Sequence, residues 1–172
     1  MTAAGQVKSA LVAQLNAAGL AAEAAFARER AAEPATAVLA VGVRELKLTR
    51  AGLVDYLGRR YDAVRGTEVE VYGRTMTLRL SLDAFAPRAL GAAGCEEAAD
   101  AAAEALLTAP VGGVTVEEIV WQETAWDKTY GLFRRAGTLV CHAVLEAEAA
   151  DDEAVLETFI LRGVVSNERD DP

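Results

Sequence analysis

Histidine occurs once and cysteine twice in the 172 residues, and that scarcity removes several chemistries at the outset. One imidazole excludes the usual zinc and non-haem iron ligand sets unless carboxylates carry the site. Cys95 and Cys141 form no CxxC pair and outline neither a metal framework nor the disulfide scaffold of an oxidising compartment. A thiol nucleophile must be activated by a histidine or by a helix start. Cys95 falls near the start of an expected helix, but Glu96 and Glu97 follow at once and oppose a negative sulfur. Cys141 adjoins His142, yet neighbours in a strand point to opposite faces. Both thiols are therefore expected to be buried and inert.

Basic charge is also short. Lys and Arg number 17 against 26 Asp and Glu, for a net charge of −9 and a pI of about 4.7. Tight nucleic-acid binders need a basic face to release counterions, so the whole-chain balance argues against one. No stretch reaches the ~18 uncharged apolar residues of a membrane span. The first residues, Met1-Thr2-Ala3-Ala4-Gly5-Gln6, have no basic segment followed by an apolar run, so no signal peptide is expected and the default location is cytoplasmic. Gly91-Ala92-Ala93-Gly94 precedes a helix, but the Lys-Ser/Thr of a phosphate loop and the dinucleotide fingerprint are both missing. Asp151-Asp152-Glu153 reads as a solvated turn, and no carboxylate pair is singled out for glycoside chemistry. The expectation is a protein without catalytic residues, cofactor or metal.

What remains is a chain of ordinary globular composition, 52% hydrophobic and 25% charged, with alanine supplying much of the apolar share. Its length suits one domain over residues 1–172. Val7, Leu11 and Leu15 recur at helical spacing over residues 5–20, with Gly19 as the stop. Residues 20–30 lean towards a strand, and Glu33-Pro34 marks a loop. A strand is expected over 36–49. Its 38–43 half is apolar on both faces, whereas Leu46 and Leu48 alternate with polar residues. The clearest strand is 67–86. Val69 and Val71 alternate with Glu68 and Glu70, and after Tyr72-Gly73 Met76, Leu78, Leu80, Leu82 and Ala84 alternate with polar residues until Pro87. An alanine-rich helix is expected over 91–108, then strands over 114–123, 137–148 and 158–165, before a charged tail from Asn167. The predicted class is α+β, a mainly antiparallel sheet with two helices packed on one face.

Two segments stand apart. Residues 50–66 are too long and irregular for a hairpin turn and too apolar for a plain loop. Residues 121–135 also combine aromatics, leucines and arginines, the types enriched at binding hot spots. Leu53, Tyr56, Leu57, Arg59, Arg60, Trp126, Tyr130 and Arg134 are the candidate interface residues. That both segments fold back over the chain's own core stays equally open.

The order of these segments resembles that of the tail-terminator, or tail-completion, proteins of long-tailed phages and phage-tail-like particles. The resemblance spans about residues 5–147. It is carried by the opening helix, by Asp55-Tyr56-Leu57-Gly58, and by the strand from Gly73-Arg74-Thr75-Met76 to Phe85-Ala86-Pro87. Gly94-Cys95-Glu96-Glu97 then opens a helix, and Trp126-Asp127-Lys128 to Leu132-Phe133-Arg134 leads into a long strand. The resemblance rests on segment order and not on one diagnostic motif, and residues 148–172 run beyond the pattern. It implies a small subunit that forms a homo-oligomeric, hexameric ring on the tail tube protein. Such a ring stops tube polymerisation and offers a docking face to neck, head-completion or sheath proteins. DNA would pass through without tight binding, past a lining for which Glu68 and Glu70 are candidates; Arg44, Arg59, Arg60 or Arg79 would supply a basic lining instead. The implied location is the bacterial host cytoplasm during assembly, then the particle's tail or neck. A head–tail connector, a tube-initiating subunit and a small-molecule-binding or enzymatic α+β domain are the alternatives.

Overall fold

The computed structural model describes residues 2–25, 33–51, 54–108, 111–149 and 160–162. The expected turn at Asp151-Asp152-Glu153 and the tail from Asn167 lie outside the described residues. Thr2 caps the first helix, α1 (Ala3–Ala17), by accepting the Gly5 N–H on its hydroxyl, and Gly19, at φ +82°, ends it. Asn16 then fastens the returning chain. Its amide donates to the Ala22 carbonyl and its carbonyl oxygen accepts the Ala22 N–H, which fixes the short strand β1 (Ala21–Glu23) beside the helix.

The remaining elements are β2 (Val38–Arg50), β3 (Tyr56–Asp62), β4 (Thr67–Ala86), α2 (Gly91–Thr108), β5 (Val114–Asp127), β6 (Leu132–Ala149) and β7 (Ile160–Arg162). They form one sheet in the order β1-β2-β4-β6-β5, with β3 also on β4 and β7 also on β6. Every pairing is antiparallel except β1 with β2. This is an α+β fold, and both helices lie on one face. Val7, Leu11 and Leu15 of α1 and Cys95, Ala98, Ala102 and Leu106 of α2 share one core with Leu39, Val41, Met76, Leu78, Leu80, Leu82, Leu139 and Cys141. Each fully buried leucine or valine there contributes about 1.5–3 kcal/mol relative to exposure. The other face holds a smaller cluster of Ala40, Phe85 and Leu132, with Tyr130 against it. No helix among the described residues is long and apolar enough to cross a membrane.

β4 organises the sheet. Its 20 residues span about 66 Å at ~3.3 Å each. β2 pairs with it from Phe85 down to Arg74, and β3 takes over from Tyr72 to Thr67, so β3 continues the line that β2 leaves. The side chains of β4 alternate without a break, yet burial changes face. Met76, Leu78 and Leu80 are buried towards the helices, while Val69 and Val71, of the opposite parity, are buried on the other side. The change falls at Gly73, which is also where the sequence alternation changes phase.

Several expectations are corrected. Residues 50–66 are not a long irregular connection but contain β3, joined to β4 by a tight turn. There Asp62 accepts the N–H groups of Val64 and Arg65, which holds its carboxyl below the usual range, and Gly66 adopts φ +68°. Residues 121–135 are likewise the ends and turn of the β5–β6 hairpin. β2 is buried on both faces only from Val38 to Val41; Val43, Leu46 and Leu48 are exposed. The strand expected over 20–30 is described only as β1, and the one expected over 158–165 only as β7.

Candidate assembly interface

Beyond the helices, β3 and the outer parts of β4 and β6 form an arm. Its root is a corner at Asp55, where Val54 and Asp55 take left-handed backbone angles of +82° and +62°. Such angles strain a side-chain-bearing residue by ~1–2 kcal/mol each. Local bonds hold the corner in place. The Asp55 carbonyl accepts the Gly73 N–H at 2.7 Å, and its carboxylate accepts two N–H groups of Arg74 at 3.0 and 2.9 Å.

The candidate residues divide along this arm. Leu53 lies outside the described residues. Tyr56 meets Tyr72 edge-on, with ring centroids 5.5 Å apart, and Tyr72 in turn donates to Glu70, which raises the Tyr72 hydroxyl above its ordinary pKa. Leu57 sits in a bulge and lays its side chain over Gly73, where a Cβ would stand 2.5 Å from its Cδ1. Arg59 faces solvent between Glu68 and Glu70, at 3.9 and 3.5 Å. Arg60 emerges on the opposite face and reaches across β4 to Glu146 at 3.2 Å. Arg59, named for a basic lining, is thus paired with Glu68 and Glu70, the two residues named for an acidic one.

At the far end, Trp126, Tyr130 and Arg134 share a hairpin but not a face. Trp126 lies on the helix-bearing side, edge-on to Phe133 at 5.1 Å, with the Arg88 guanidinium 5.8 Å above its ring. Tyr130 packs edge-on against Phe85 on the other side. Arg134 lies over the same Phe85 ring and is pinned between Asp83 at 3.1 Å and Asp127 at 3.5 Å. Tyr130 and Arg134 therefore fold back over their own chain, whereas Tyr56, Leu57 and Trp126 keep about 40% of their surface exposed.

Neither thiol is placed for catalysis. Both are buried, and burial pushes Cys141 up to about 12 and raises Cys95 as well. His142 turns away from Cys141 to bond Thr77 and Glu117. Among the described residues no group of His, Cys, Asp and Glu side chains is arranged to hold a metal ion.

No protein-family model matches the chain, and no curated protein matches it. Chemistry at the two sheet edges is what distinguishes its surface. β1 covers β2 only at Val38–Ala40, so residues 41–50 have no strand on their outer side among the described residues, and neither has β5. No local pattern marks either strand as an edge, but their charges differ in sequence, with Arg44, Lys47 and Arg50 on one strand and Glu117, Glu118, Glu123 and Asp127 on the other.

Proposed function

We propose that this chain is a ring-forming structural subunit of a phage tail or phage-tail-like particle, the tail terminator that caps the tube and joins it to the neck or head. The observation that carries the reading is a single sheet with two long, unlike edges left open on opposite sides among the described residues. A closed ring is built from heterologous contacts, one patch on each subunit meeting a different patch on its neighbour. Two unlike edges supply such patches, and the β3–β4–β6 arm supplies a third surface for tube or neck protein. The resemblance in segment order from the opening helix to the last long strand adds the particular role and the ring size of six.

Electron microscopy and light scattering of the purified protein with tube subunits test this reading. The expected result is six-fold rings and tubes whose growth stops at a ring-capped end. Monomer only, with and without tube subunits, refutes it, and a ring at the initiating end of the tube would assign a different tail role.

A further inference from the structure

We infer that the two open edges are each other's partners: residues 43–50 of β2 in one copy pair, antiparallel, with β5 of the next copy. This rests on the ring reading and specifies its contact.

Charge is the first argument. In a chain of net charge −9, residues 43–50 carry Arg44, Lys47 and Arg50 against Glu45 alone. β5 carries four acidic residues and no lysine or arginine. Glu117 meets His142 and Asp127 meets Arg134 within the chain, which leaves the exposed Glu118 and Glu123 to give the edge its charge. A basic strand edge and an acidic one attract each other and repel their own kind, which excludes edge-to-edge pairing of like strands.

Strand direction is the second. β4 is antiparallel to β2 and to β6, and β6 is antiparallel to β5, so β5 runs with β4 and against β2. Rotation about an axis along the strands preserves each strand's direction. The β2 edge of one copy therefore meets the β5 edge of the next in the antiparallel sense used by nearly all of this sheet. The same rotation keeps the helix-bearing faces on one side of the joined sheet.

Exposed apolar surface is the third. Leu46 and Leu48 pair with Leu78 and Met76, so they lie on the helix-bearing face, yet they remain 44% and 45% exposed. Val116, Ile119 and Trp121 of β5 border the core on that face and are only partly buried. Joining the edges sets these two groups side by side. An edge of this length carrying two exposed leucines is otherwise a template for uncontrolled pairing.

Charge reversal tests the pairing. One variant carries Lys47→Glu and Arg50→Glu, the other Glu118→Lys and Glu123→Lys, each checked for folding by circular dichroism. Sedimentation should show that each variant alone assembles more weakly, on the order of 10-fold or more. An equimolar mixture should assemble again, because alternating copies restore a basic edge against an acidic one at every contact. Should a reversed variant fail to fold, Leu48→Glu, at a position already exposed in the single chain, carries the same expectation of lost assembly. Rings that form unchanged in both variants, or a mixture that does not recover, overturn the edge pairing and leave the terminator reading standing. A wild type that is monomeric under all conditions overturns both.

Discussion

Gly137 gives the sharpest test of the packing. It is buried in β6, opposite Trp121 of β5 and beside Leu82 of β4, where the β4–β6 register skips two residues and Asp83 takes the Gly137 N–H. A Cβ at this position would stand 2.4 Å from the Leu82 carbonyl oxygen and 2.6 Å from the Trp121 ring, where ordinary contact begins at 3.4 Å. Gly137→Ala must therefore displace the indole and a backbone carbonyl of the central strand by about an ångström. Overpacking of this kind costs about 1–3 kcal/mol, and involvement of backbone places it near the top of that range. Restricting the unfolded chain returns about 0.4–1 kcal/mol. The net loss is about 2 kcal/mol, which for a chain of this size lowers Tm by about 4–8 °C. Thermal unfolding followed by circular dichroism measures it, with Gly112→Ala as control, because a Cβ there meets nothing within 4 Å. A Gly137→Ala protein as stable as wild type would refute the close approach of β4, β5 and β6.

Leu57→Asp should weaken assembly while lowering monomer stability by only about 1 kcal/mol, since the side chain covers Gly73 from one side and stays 40% exposed; a large fall in monomer Tm would mark it as ordinary core. Cys141 supplies a pH dependence. Its folded thiol is pushed up to about 12 from an ordinary 9.0, so its contribution is whole below pH 9 and is lost as pH rises towards 12, by about 1.4 kcal/mol per pH unit. Urea midpoints between pH 8 and 10.5 should fall less steeply in Cys141→Ala, and identical slopes would exclude this origin. In a mobility-shift titration the proposed ring should not retain DNA at micromolar concentration. Binding that fades steeply with salt would reveal a basic bore and reverse the proposed lining.

The elements most legible in the sequence were those whose signal is continuous. The strand over 67–86 and the helix over 91–108 have the expected bounds, because alternation on both sides of Gly73 ending at Pro87, and an alanine run before Pro110, leave few alternatives. β3 was not legible. Its residues are exposed or half-exposed on both faces, so no apolar alternation marks it, and it exists through its hydrogen bonds to β4 and the Asp62 turn. β5 runs on to Asp127, beyond the 114–123 that its pattern predicts, because register shifts at Val116/Glu118 and Trp121/Thr124 break its period. Arginine and aromatic clustering found Tyr56, Leu57 and Trp126 at the surface, but also Tyr130 and Arg134, which are held by their own chain. The open edges were hidden for a different reason. Which strands lie outermost depends on β4 meeting β6, and no local pattern reports a contact such as Thr77 with His142.

That remote contact also orders events during synthesis. The β3–β4 and β5–β6 hairpins are local and can close as they emerge, and β2 precedes β3 directly. But β4 gains a neighbour on its other side only when β6 arrives, 65 positions after Thr77 at the Thr77–His142 contact. Pairings so distant in sequence are slow, because the loop must close before the contact repays it. Until then β4, with the leucines of its helix-bearing face, stands at the growing sheet's border as a bare strand. A nascent chain released early would thus expose its central strand in addition to the open edge of β2, and so carry an aggregation hazard that the finished fold removes by adding β6. Translation rate and chaperone supply should accordingly govern the yield of this protein more strongly than its final stability does.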